Sequence, residues 1–227
     1  MDSNDLQSPF VEIQGSPRIS VRTYNLIMAG LILVGFTVMG AGALWARTLS
    51  FQLMLAGNFL LLGLGPLIAS IAGIIMMSVA AGRQSTPLSL AGFSLFVAGF
   101  GITAGVGLSA YDLPAVNTAF FATAGITAVA GIAGLMFPGF FQRIGGVLFS
   151  VLVGVFLVEV VLMFMGVGQT VTDWIMVAVF SGFIAYDFNR AARLEPTVPN
   201  AVLSASNLFV DIVNVLLRLL RIFSRDN

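Results

Sequence analysis

Residues 181–221 read SGFIAYDFNRAARLEPTVPNAVLSASNLFVDIVNVLLRLLR, two apolar helical runs joined by a polar turn through Glu195-Pro196 and Pro199-Asn200. The first run ends at Tyr186-Asp187, and the second carries Asp211 among Val, Ile, Leu and Phe. A charge near a bilayer centre costs about 2.5 to 3.5 kcal/mol on insertion scales, so an acid retained there marks a functional site by default. The polar residues of the second run include Ser204, Asn207, Asp211, Asn214, Arg218 and Arg221, at spacings of 3, 4, 3, 4 and 3. That is one stripe on one helical face. Such a stripe has to face protein or a wet cavity, and it reads as the lining of a pathway or pocket.

The rest of the chain supplies the membrane. Of 227 residues, 58% are hydrophobic and only 9% charged, with a mean hydropathy of +1.02, against about 25% charged in soluble domains. An all-α polytopic membrane protein follows, with the lipid bilayer as its solvent. A formal net charge of zero with scattered arginines excludes a nucleic-acid-binding face, which needs clustered basic residues. Cysteine and histidine are both absent. Their absence removes disulfides, thiolate metal sites, the HExxH zinc motif, Ser-His hydrolases and the ordinary neutral-pH proton shuttle. No resident cofactor is expected. The ten basic residues are all arginine, which fits a prokaryotic cytoplasmic membrane.

Residues 1–22 are polar, with Asp2, Asp5 and Glu12 ahead of Arg18 and Arg22. A cleaved signal peptide starts basic and short, so this segment reads as a flexible cytoplasmic tail and 23–227 as one transmembrane domain. Spans of about 20 residues suffice for the hydrocarbon core, and they are expected at 24–46, 53–81, 88–110, 116–137, 144–166, 174–190 and 201–223. With the N-terminus inside, Arg18, Arg22, Arg83, Arg143, Arg190 and Arg193 are cytoplasmic, as the positive-inside rule prefers. Outer loops then hold Arg47, Asp112 and Asp173. The last span leaves two readings, a full crossing whose arginines snorkel or pair, or an incomplete one. Gly101-Ile-Thr-Ala-Gly105 offers a small face for close helix packing.

Four ionisable residues stand out against the spans: Arg83, Glu159, Asp187 and Asp211. On a ruler of 1.5 Å per residue Asp211 lies deeper than Asp187 by roughly 10 Å, so spacing alone does not make them a pair. Were they to meet, they would titrate as one unit, a pH sensor built without histidine. Carboxylates and carboxamides are also what a hard cation prefers. Asp187 and Asp211 are therefore candidate calcium ligands, with Ser204, Asn207, Asn214 and Glu159 along an ion path. The competing reading locks Asp211 to an arginine and gives Glu159 a hydrogen-bonded or protonated structural role.

Phe180-Ser-Gly-Phe-Ile-Ala-Tyr-Asp187, then Asn207-Leu-Phe-Val-Asp-Ile-Val-Asn214 and Leu219-Leu-Arg221, resemble the Bax inhibitor family of membrane proteins. The resemblance is specific over roughly 174–223. It implies a seven-helix bundle with the last helix central, and a hydrogen-bonded Asp187/Asp211 dyad near the cytoplasmic side. It further implies a pH-sensitive calcium leak, with calcium as the permeant ion, and an arginine latch at the position of Arg83. The second span here lacks an acidic residue, and Glu159 is not part of the family pattern. Two other classes compete. An intramembrane aspartyl protease also pairs Tyr-Asp with a second Asp, but it needs Gly-x-Gly-Asp where this chain has Phe209-Val210-Asp211, so no enzyme is expected. An interaction protein that restrains another membrane protein or protease is compatible with every residue. Proton-coupled cation exchange is a variant of the leak.

Overall fold

Five of the seven long helices begin where the sequence supplies a cap or a proline. The Ser20 hydroxyl accepts from the Thr23 amide at 3.0 Å, Asp112 from Ala115 at 3.2 Å and Thr197 from Asn200 at 3.5 Å. Each satisfies an amide that a helix start leaves without a partner. Prolines occupy the first turn of four helices, where the missing N–H costs nothing. The computed structural model describes residues 17–224. Its helices are α1 Val21–Ala46, α2 Leu49–Gly57, α3 Phe59–Arg83, α4 Thr86–Ser109, α5 Leu113–Met136, α6 Pro138–Phe164, α7 Thr170–Ala191 and α8 Val198–Phe223. There is no strand among the described residues. Seven helices are long and apolar enough to cross a membrane. The protein is an integral membrane protein.

Three expected boundaries change. The span at 53–81 is broken at Asn58, whose backbone (φ −138°, ψ 44°) is not helical, so a short α2 capped by Thr48 precedes α3. Hydropathy stays high through this point, and an apolar run by itself does not reveal a backbone break. Helix α6 starts at Pro138 rather than 144, because proline fits the first helical position. The expected flexible tail ends sooner than residue 22. Arg18 pairs with Glu195, the Ile19 amide donates to the Pro196 carbonyl at 2.8 Å, and α1 begins at Val21. The part of the tail before residue 17 lies outside the described residues.

The Ile19–Pro196 bond sets the beginnings of α1 and α8 side by side, at what is called here the near end; both helices run to the far end. Helix α8 is the most buried of the spans and packs against α1, α3, α4, α5 and α7. Its Phe209 is the hub, with ring centroids 5.3 Å from Phe36 of α1 and 5.7 Å from Phe100 of α4. Aromatic pairs of this kind add about 0.5–1.5 kcal/mol each beyond their buried area. Helices α1 and α4 come close because Gly105 faces α1, where a Cβ would stand 2.6 Å from the Met39 carbonyl oxygen. Packing is thus the role of the small-residue face, as its spacing indicates. Helix α6 lies on α7, and Glu159 is its one buried residue.

Candidate functional site

The polar stripe of α8 meets a partner at each end. At the near end, the Ser204 hydroxyl is 3.0 Å from the buried Tyr24 hydroxyl of α1. One and two turns further on come Asn207, half-buried, and Asp211. Asp211 on α8 and Asp187 on α7 are 7% and 8% exposed, on two helices packed together and near enough for each carboxyl to act on the other. The roughly 10 Å offset of the sequence ruler is closed by the tight packing of α7 on α8. Two carboxyls share a hydrogen bond only when one keeps its proton, so this pair can take up or release a proton in exchange for that bond. The charge acting on Asp187 is the Arg190 guanidinium, one turn along α7.

The expected latch is elsewhere. Arg83 is exposed at the end of α3, and among the described residues it forms no ion pair with either aspartate. Gln84 beside it takes a left-handed backbone (φ 50°), and its side-chain amide donates to Asn200 of α8 at 3.4 Å. Gln84, the residue after Arg83, thus meets α8 at this turn.

At the far end the stripe ends in an ionic network that the sequence did not reveal in full. Arg218 pairs with Glu159 of α6, its Nη2 standing 2.8 Å from Oε2 and its Nη1 contacting Oε1. The same Nη1 donates to Asp173 Oδ1 of α7 at 2.9 Å. Arg221 Nη1 donates to Asp173 Oδ1 and to Gln169 Oε1, both at 3.0 Å. Asp173 is fully buried in the first turn of α7, which corrects its expected place in an outer loop. Four charges sum to zero here, and the two α8 arginines pair rather than snorkel. Glu159, expected along an ion path, is instead a carboxylate held by both arms of one guanidinium. The signal for Asp173 was present: two arginines three residues apart at the end of an apolar helix need acids from neighbouring spans.

Asn214 lies between the two polar clusters and donates to the Val210 carbonyl of its own helix at 2.8 Å. The expected calcium ligands supply two carboxyl groups, and among the described residues no group of three or more acidic, histidine or cysteine side chains gathers to hold a metal. Calcium takes six to eight oxygens, more than this pair supplies.

This arrangement sits in a chain whose residues 18–227 match the family model described as inhibitor of apoptosis-promoting Bax1. The chain belongs to the Bax inhibitor family. The chain is similar to the inner membrane protein YbhL of Escherichia coli K12, 26% identical over 220 residues, covering 91% of this chain and 93% of YbhL. A membrane protein of Streptococcus pyogenes serotype M3 is 30% identical over 169 residues, 70% of this chain and 74% of its own. A protein of Deinococcus radiodurans is 28% identical over 215 residues, 90% of each chain. The Bax inhibitor assignment therefore spans both polar clusters.

Proposed function

We propose that this Bax inhibitor family member is a pH-sensitive calcium leak pathway gated by the Asp187/Asp211 pair. The observation that supports the reading is two buried carboxyls on two packed spans inside an apolar bundle, near enough for each to act on the other. Burying carboxyls where neither lipid nor stability requires them is costly. Holding them together makes the α7–α8 contact depend on a proton. With the shared proton in place the two helices are tied; with both groups ionised, like charges push them apart. In the open state the two carboxylates, with Asn207 on the same stripe, offer oxygens to a divalent cation.

The proposed orientation puts the near end in the cytoplasm, since Arg18, Arg22, Arg83, Arg143, Arg190 and Arg193 then lie inside. Arg190, one turn along α7, is the cation whose charge acts on Asp187. The test is calcium flux from proteoliposomes over a pH series of about 5 to 8.5, spanning the range in which buried carboxyls titrate. Wild type is expected to leak with a pH-dependent rate, and Asp187→Asn and Asp211→Asn are each expected to flatten that dependence. Equal tightness of all three at every pH would sink the reading and favour a protein that acts by binding another membrane protein.

A further inference from the structure

Helices α1 and α5 diverge towards the near end. They meet through Phe36 and Phe120, whose ring centroids are 6.3 Å apart, and below that contact a seam opens to the bilayer. Two cavities of about 480 and 540 Å³ lie along it and adjoin at Leu135 and Phe188, which line both, and together they make up the groove. Lining residues such as Ile132 (59% exposed) and Leu135 (54% exposed) face outward. Its floor includes Ile212 and Leu208 of α8. Most of its lining is apolar, with Thr123 and Thr127 in one cavity and Tyr24 and Asn25 in the other as its polar side chains, and inside the hydrocarbon layer such a groove favours hydrocarbon over water. Hydrocarbon chains are what surround it.

The near end of the groove has a charge to match a headgroup. Arg22, Asn25, Ala29, Ile32 and Phe36 follow one another on α1 at spacings of 3, 4, 3 and 4, one face of the helix. The last four line the groove. Arg22 thus stands one turn beyond its mouth, exposed, and among the described residues it has no ion pair. We propose that the α1–α5 seam is a phospholipid site, with an acyl chain lying in the groove from Asn25 to Phe36 and the phosphate held by Arg22. A lipid there touches Phe188 and Ile212, the immediate chain neighbours of Asp187 and Asp211. It therefore presses on both carriers of the carboxyl pair. That consequence rests on the leak reading; the binding site does not.

The test is native mass spectrometry of the full chain in detergent with added phosphatidylglycerol, counting lipids retained per protein. Wild type is expected to retain one. Ala128→Phe, which puts a ring into the seam from a lipid-facing position, is expected to lose it. Arg22→Gln is expected to weaken retention about fivefold, the worth of one basic residue near an anionic headgroup. Gly146→Ala, on an open face of α6, is the control and should match wild type. Undiminished retention by A128F, with its thermal stability unchanged, would overturn the seam as the site, and undiminished retention by R22Q would overturn the phosphate anchor. Neither outcome uses calcium flux, so failure of the leak reading leaves this result standing.

Discussion

Arg218 is 12% exposed and holds two carboxylates that are 9% and 0% exposed. Removing one member of a buried ion pair strands the other, at a cost of roughly 3 to 5 kcal/mol. Arg218→Gln is accordingly expected to lower the unfolding midpoint in detergent more than any other single change at the far end. Arg221→Gln should cost much less, because Arg221 is 36% exposed and leaves Asp173 its bond to Arg218. A midpoint for R218Q equal to that of R221Q would show that the network is not the fastener described here. Glu159, Asp187 and Asp211 were legible in the sequence because each interrupts a long apolar run. Asp173 was not legible from its own surroundings, since Gln169-Thr-Val-Thr-Asp173 reads as a polar loop, and only the two α8 arginines signalled that a partner acid was needed. Arg83 was singled out by its place at a span end, and among the described residues it forms no ion pair with either aspartate.

At the scale of the element, the periodicity of α8 carried the most information. A 3-4 spacing fixes which residues share a face without any knowledge of the neighbours, and that face meets α1, α7 and α6 in turn. The α2–α3 break was illegible because hydropathy averages over a window and one asparagine hardly moves it. Close approach is better encoded. At Gly105 an added Cβ would also stand 2.8 Å from the Ala43 amide nitrogen, and backbone atoms in a helix cannot swing aside. Gly105→Val is therefore expected to destabilise by about 1 to 3 kcal/mol or more, the usual cost of overpacking. Folded yield on size-exclusion chromatography is the readout. Gly154→Val, where nothing lies within 4 Å of the new Cβ, should be tolerated; equal losses at both positions would mean the α1–α4 contact is looser than drawn.

For the whole molecule the decisive fact is that α8 runs unbroken from Val198 to Phe223, with the carboxyl pair at its middle and the ionic network near its end. Seven residues separate Asp211 from Arg218, roughly 10 Å of rigid helix at 1.5 Å per residue. Any shift of α8 driven by the pair must therefore also move Arg218 and Arg221 against α6 and α7. If the leak is gated at Asp187 and Asp211, the far network is a brake on the same motion. Loosening it without unfolding the protein should favour the open state while leaving the proton sensor intact. Arg221→Gln is the suitable change, since it removes contacts to Asp173 and Gln169 but spares the Arg218–Glu159 pair. In proteoliposomes R221Q is expected to pass more calcium than wild type at every pH and to keep a pH dependence, whereas R221Q combined with Asp211→Asn should be fast and flat. Flux for R221Q that superimposes on wild type across the series would mean that the pair opens locally, without moving the helix that carries it.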